Sequence, residues 1–442
     1  MKIAKLYKKL TLANLLNWFA MRFYRVAQIV TGYIISVAIR LNPSREIFQK
    51  NLDSLKLNRV FFFKKVTLPY FSILEGCQNL KARVIFHKEG EIIELTLPKV
   101  INKGFKVNEA YACEAKLPDI YLAEISGVQI FAGTDLIVVD KSILYDEIDK
   151  NTFDRYAVKS PLISSVSRGN ITIKLPLKTI NIDQGIHFAK DHSKNYFHWI
   201  IECLPRLSLV NELDNNIPLL VDEDLPKQFY EALALLNQDN RKLIKLNSNN
   251  VYEIGKLYFP SQLSVVHDNY NNPIYDKDSL YSAKAISYVR EAVLKKIASG
   301  KNLPSFRKLY ISRKNSDYRQ VLNSNEIEDI LVEKGFEIIF PEHLSFFAQV
   351  QLFSQAKLII GQSGAGMANF IFAPKDCKIL MMMSDASQTN LHLFGALTQA
   401  LGLNLEYIIG KSIVVRKKYS IHADFHIDIK LLIDFLDKEG FR

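Results

Sequence analysis

The sequence predicts an α/β protein whose body carries parallel, doubly wound sheets. Three observations predict it. From about residue 181 onward, short apolar strands alternate with helical periods. The stretch KLIIGQSGAGMANFIF, 357–372, reads as a strand, a turn with Gly361, Gly364 and Gly366, and a helix start. The chain has 442 residues, 48% apolar and 23% charged, which is ample for two cores of ordinary globular composition.

Taken in order, residues 1–50 form a basic arm. It carries nine Lys and Arg against Glu46 alone, a net +8 of the chain's +11. Leu12, Leu15, Leu16, Phe19 and Phe23 recur at helical spacing, and 26–39 runs almost without charge. A spanning helix needs about 20 apolar residues, and this stretch is shorter and holds Gln28 and Thr31. A signal peptide has a shorter charged region than this one. The arm is therefore expected to lie on a membrane surface through residues 1–40, the alternative being a helix packed on the body. Nucleic acid is not an expected partner, because the charges interleave with an apolar stripe.

Residues 51–180 read as a β-rich accessory region, with strands expected at 82–87, 91–97, 128–132, 136–140 and 171–175. Residues 181–303 form a first α/β domain. Strands are expected at 184–189, 218–221, 243–246 and 256–259, and helices near 195–211, 227–237 and 277–297. Residues 304–415 form a second, with strands at 308–312, 336–340, 357–360, 378–383 and 405–409. Asn323 with Glu326 suggests a capping box, Gly335 a helix stop, and Ser345 the cap of the next helix. Residues 416–442 supply a C-terminal helix, 427–436, expected to brace the two halves. Cys77, Cys113, Cys203 and Cys377 are scattered without C-x-x-C pairs and read as reduced core thiols in a cytosolic setting.

Three segments carry candidate chemistry. The glycine turn, with Ser363, Gly364, Ala365, Gly366 and Asn369, suits a phosphate, because glycine lets main-chain N–H groups approach an anion. Its place late in the chain favours a nucleotide-sugar over an N-terminal dinucleotide site. The stretch NYFHWIIECLPRL, 195–207, places His198, Glu202 and Arg206 four apart, on one face if the helix is regular. They can form a general-base group or a plain Glu–Arg surface pair beside a histidine. His187, Asp191 and His192 lie on the preceding strand and loop, where open α/β sheets hold ligands. Arg313, Lys314 and Arg319 follow a strand end and suit a diphosphate, or are solvated loop charge. No metal site is expected, since no second histidine stands at helical spacing from His198.

Together these segments resemble glycosyltransferase family 61. The marks are Asn195-Tyr196-Phe197-His198-Trp199, Glu202, Pro205-Arg206, Ser312-Arg313 with Arg319 and Asn323, Gly335-Phe336-Glu337, and the turn from Gly361 to Phe372. The resemblance implies a GT-B-like pair of Rossmann-like domains and an inverting, metal-independent sugar transfer. No cofactor is implied beyond the nucleotide-sugar itself, expected to be UDP-linked. The acceptor is expected to be a glycan or lipid-linked glycan of a bacterial surface polysaccharide, and the protein cytoplasmic and peripheral on the membrane. Glu202 is the expected base, or the partner orienting His198, with Asp191 in reserve and Arg206 fixing the geometry. The chain departs from the family pattern at Ser363, where His is frequent, and at Met381, where an acid is frequent. Asp385, just beyond, is the expected substitute for that acid. A nicotinamide-dependent oxidoreductase is the rival enzyme class, though Asn369 occupies its third small position and Pro374 shortens the helix. An inactive scaffold of polysaccharide assembly is the rival outside enzymes.

Overall fold

The structure is a computed structural model. It describes residues 63–80, 82–146, 160, 162–167, 169–176, 178–237, 240–267, 274–297, 305–415 and 419–441. The arm expected over 1–50 lies outside the described residues. The chain divides into residues 1–65 with 174–177, and residues 66–173 with 178–442. The second unit holds every candidate site residue.

The first sheet contains four parallel strands in the spatial order Leu243–Leu246, Leu219–Asp222, Lys178–His187, Asn250–Pro260. Numbered along the chain, that order is 3-2-1-4, so the winding reverses between Lys178–His187 and Asn250–Pro260. The last strand pairs antiparallel with Ile120–Ile130, which also pairs with Ala82–Lys88. The β-rich region expected to be an accessory therefore extends this sheet. It also reaches the other one, where Lys99–Val100 pairs with Asn404–Val414.

The second sheet runs Glu337–Ile339, Arg307–Ile311, Ala356–Gln362, Lys378–Ser384, Asn404–Val414, all parallel, with Asp424–His426 antiparallel at the far edge. Its chain order is 2-1-3-4-5, and the reversal falls between Arg307–Ile311 and Ala356–Gln362. These strands read as apolar runs because both faces are covered. Leu358 and Ile360 join a core with Leu432 and Leu436 of the C-terminal helix Ile429–Lys438. Ile359, between them, faces the opposite core. That core is shared by both sheets. It runs from Ile186 and Leu219 through Trp199, Leu233 and Val289 to Val350, Ile359 and Ile379. Each such side chain, fully withdrawn from water, contributes about 1.5–3 kcal/mol before chain entropy is counted.

The helices expected from sequence differ from the structure at four places. The helix expected over 195–211 is one α-turn at Tyr196–His198, a π-turn at Trp199–Cys203 and a 3-10 segment at Leu204–Leu209. Pro205 accounts for the change: it has no N–H for the carbonyl four residues back, and its ring crowds that carbonyl. The helix expected over 277–297 is interrupted by the strand Ser279–Leu280 and runs only from Ala283 to Ile297. The helix after the glycine turn is a 3-10 segment, Ala365–Phe372. Asn323 does not cap its own helix with its side chain. Its amide instead donates to Ile427 O at 2.9 Å and accepts from Ile427 N at 3.1 Å.

That bidentate contact ties the C-terminal segment to the second sheet. Each hydrogen bond has a net worth of about 1 kcal/mol. Asn323→Ala should lower the unfolding free energy in urea by about 2 kcal/mol. A loss below about 0.5 kcal/mol would contradict this role.

Candidate functional site

Open α/β sheets bind ligands beyond the carboxyl ends of strands, where the winding reverses. Both reversal points here are lined by residues singled out from sequence. At the second sheet, Ile311 pairs with Gly361, and the chain leaves these two strands into the arginine loop and the glycine turn. Gly361 is required by close approach, since a Cβ there would sit 2.9 Å from Ile311 Cβ and 2.7 Å from Met367 Sδ. Gly364 has extended backbone, and a Cβ on it would sit 1.8 Å from Arg313 Nη1. The Arg313 guanidinium thus lies directly on the glycine turn.

Arg313 donates from Nη2 to Ser316 Oγ at 2.8 Å. Its guanidinium is 6.0 Å from the Tyr318 ring centroid, and that of Arg319 is 5.1 Å from it. Among the described residues, the Nε atoms of both arginines are buried without a hydrogen-bond partner, and neither arginine forms an ion pair. Burial, then the neighbouring Arg319 charge, lowers Arg313 to about 10. Two adjacent guanidiniums with unsatisfied donors form a site that an anion would complete. Arg319 also has φ +57°, a left-handed conformation that costs a non-glycine residue of order 1–3 kcal/mol. Its N–H donates to His422 O at 3.3 Å.

Other residues expected at the donor site have different partners. Lys314 is ion-paired with Glu328, whose second oxygen accepts from Ser312 Oγ at 3.0 Å. Asn369 is wholly buried. It accepts from Tyr196 OH at 2.5 Å and donates to Gln349 Oε1 at 2.7 Å and Gly366 O at 3.1 Å. Its side chain holds the turn in place and has little left for a ligand. Ser363 is buried, and its N–H donates to Met382 O at 3.1 Å. Met381 is a core residue between Gly361 and Tyr407. Asp385 accepts from Ser412 N at 2.7 Å.

At the first sheet, the loop after Lys178–His187 brings a second group together. Asn195 caps the short turn by accepting from Phe197 N at 2.9 Å. The π-turn follows, a feature often found at functional sites. His198 Nδ1 is hydrogen-bonded to Glu202 Oε2. The other carboxylate oxygen accepts from Val266 N at 3.3 Å and lies 3.9 Å from Lys190 Nζ. The His192 ring stacks on His198 with centroids 5.0 Å apart, from a backbone with φ +62°. Asp191 accepts from Tyr145 OH at 2.6 Å and Thr134 Oγ1 at 3.1 Å, so its carboxylate is engaged in shaping the loop.

Arg206 is not part of a stack with His198 and Glu202. Its Nε donates to Pro260 O at 3.1 Å and its Nη2 to His187 O at 3.0 Å, between the rings of Phe188 and Phe259. It joins the two strands that flank the reversal point. The change from π to 3-10 winding between Glu202 and Arg206 removes the regular spacing that would align them. His187 is completely buried, and burial followed by the Arg206 charge holds it well below its ordinary value. It stays neutral and packs on Phe259 at 5.4 Å.

The two groups are linked. Tyr196 belongs to the His198 turn and Asn369 to the glycine turn, and their hydrogen bond spans the halves. Phe197 packs edge-on against Phe394 at 5.3 Å, and Tyr281 OH donates to Leu393 O at 2.8 Å. Sequence reasoning assigned no role to Lys190, Tyr196 or Tyr318. Lys190 was signalled by a charge in the middle of the strand-end run Phe188-Ala189-Lys190-Asp191. Among the described residues, no group of three or more His, Cys, Asp or Glu is placed to hold a metal ion.

Arg313 on the glycine turn, with Arg319 beside it, is joined through shared packing to an imidazole–carboxylate pair. The family model described as Glycosyltransferase 61 matches residues 196–380. The chain carries a glycosyltransferase 61 domain, and it is a glycosyltransferase. That span includes Tyr196, His198, Glu202, Arg313, Arg319 and the glycine turn, and stops short of Lys190 and Asp191. No curated protein matches the chain.

Burial sets a pH dependence. His392 is lowered to about 4 by burial, and His187 lies well below 6.5. Both bind protons more readily unfolded, so they destabilise the fold as pH falls from 6.5 toward 4. Asp222, raised by burial to about 6 from 3.8, acts oppositely and is most stabilising below that window. His392→Gln should flatten the loss of urea stability between pH 6.5 and 4. An unchanged slope would contradict the buried neutral histidine.

A second expectation concerns Gly364. The atom that a Cβ would displace is the tip of a flexible side chain, so Gly364→Ala should leave the melting temperature within about 2 °C. It should weaken binding of a nucleoside diphosphate by about tenfold or more in calorimetry, because Arg313 must move. Unchanged affinity would show that Arg313 does not touch the ligand.

Proposed function

We propose that this glycosyltransferase is inverting and metal-independent, built on a GT-B-like pair of Rossmann-like halves. It moves a sugar from a UDP-linked donor to a glycan or lipid-linked glycan of a bacterial surface polysaccharide. The observation that carries the reading is the half-buried pair Arg313 and Arg319, with Arg313 on the glycine turn and the Nε atoms of both buried without a hydrogen-bond partner among the described residues. Two fixed positive charges are suited to the diphosphate that departs with the donor's electrons, a task a bound metal performs in other designs.

His198 supplies the base. Glu202 accepts at Nδ1 and so keeps the proton there, which leaves the Nε2 lone pair for the acceptor. Nε2 takes the hydroxyl proton as the acceptor oxygen bonds to the anomeric carbon. The bond from that carbon to the phosphate oxygen breaks, and the nucleoside diphosphate leaves on the arginines. Glu202, with both oxygens engaged, orients the ring and stabilises the imidazolium.

We place the enzyme on the cytoplasmic face of the membrane, held by residues 1–40. The support is the concentration of charge, +8 of +11, within the first 50 residues. No helix among the described residues is long and apolar enough to cross a membrane.

His198→Ala should reduce turnover by about a hundredfold or more and leave donor affinity within about threefold. Near-normal turnover would refute the base assignment. Removing residues 1–40 should shift the protein from the membrane to the soluble fraction with donor binding intact. A truncated chain that still sediments with membranes would refute the anchoring.

A further inference from the structure

Lys190 is almost fully buried, at 2% exposure, in a position where a lysine needs a reason. It lies outside the matched family span and on the loop leaving the first reversal point. Its Nζ is 3.9 Å from Glu202 Oε1 and 3.8 Å from Asp135 Oδ2. Glu202 and Asp135 are each 2% exposed. The opposite oxygen of Glu202 is the one bonded to His198. A continuous file of charged or ionisable groups therefore runs Asp135, Lys190, Glu202, His198, in a setting where charges are weakly screened.

We infer that Lys190 is a positioning residue that balances the Glu202 carboxylate and thereby sets the pH at which His198 is available as the base. The inference rests on the proposed role of His198. An isolated carboxylate in this position would draw a proton onto the imidazole and remove the lone pair needed for transfer. Lys190 offsets that pull, and Asp135 limits the offset. Val266 N anchors the same Glu202 oxygen, so the carboxylate cannot swing toward the lysine and away from the ring.

The other groups around the file have separate duties. His192 stacks on the ring of His198. Asp191 is bonded to Tyr145 and Thr134. Asp222 accepts from Ser193 Oγ and from Gly133 N at 2.6 Å. Arg206 is bonded to the carbonyls of His187 and Pro260. The turn that carries Asp135 comes from the β-rich region, so that region contributes directly to the balance of charge at the site.

The test is the turnover–pH profile of the full chain with a UDP-sugar and its acceptor, alongside donor affinity. Lys190→Met should move the acid limb to higher pH by about one unit, with donor affinity within about threefold. Asp135→Asn should move it the other way, because the lysine charge is then less compensated. Lys190→Arg should keep the limb near the wild-type position. Opposite displacements by the two neutralising variants are the signature of charge balance, and a scaffold role would lower turnover at every pH without them. If Lys190→Met does not fold, Asp135→Asn and Lys190→Arg still decide. No displacement, or displacement in the same direction, overturns the inference while a dead His198→Ala leaves the base assignment standing. Turnover that survives His198→Ala overturns both.

Discussion

The side-chain amide of Asn369 is the contact on which the arrangement depends. It has three partners, each from a different element: Tyr196 OH on the imidazole-bearing turn, Gln349 on the helix Phe346–Ser354, and the carbonyl of Gly366 in its own turn. A buried amide with its groups satisfied fixes position in a way that an apolar contact does not. Through it the glycine turn, which holds Arg313, is referenced to the turn that holds His198. The shared apolar core then fills the space between the sheets. The proposed transfer needs a leaving-group site and a base in fixed relation, and this amide is a direct polar link between the two turns.

The alternation of strands and helices from residue 181 onward was legible, because apolar strand runs such as Leu219–Asp222 and Lys378–Ser384 are separated by helical periods. The strand order was not, since nothing local in Asn250–Pro260 says that it pairs with Lys178–His187. The glycine turn and the strand-end arginine beside it were legible from glycine spacing and strand-end charge. Which arginine-loop cation stays free was not: Lys314 finds Glu328 across a helix that periodicity alone does not orient. The alignment of His198, Glu202 and Arg206 assumed a regular helix, and Pro205 changes the winding before Arg206 is reached. The β-rich region shows no motif of its own. Its contribution, Asp135, Tyr145 and Thr134 beneath the loop 189–194, exists only through tertiary contact.

Charge is distributed differently at the two reversal points, and the difference suits the tasks proposed for them. Around Glu202 the buried charges of Asp135, Lys190 and Glu202 alternate in sign, which keeps ionised groups tolerable away from water. Around Gly364 two like charges stand together with unsatisfied donors, an arrangement that an incoming anion relieves. The left-handed backbone at Arg319 adds to the cost of holding that arrangement.

The central claim is that Arg313 and Arg319 receive the diphosphate of the donor without a metal. Calorimetric titration of the full chain with uridine diphosphate and with uridine, in the presence of a chelator, tests it most directly. Uridine diphosphate should bind at least about tenfold more tightly than uridine, a difference of about 1.4 kcal/mol carried by the phosphates. Equal affinities, or diphosphate binding that vanishes with the chelator, would contradict it.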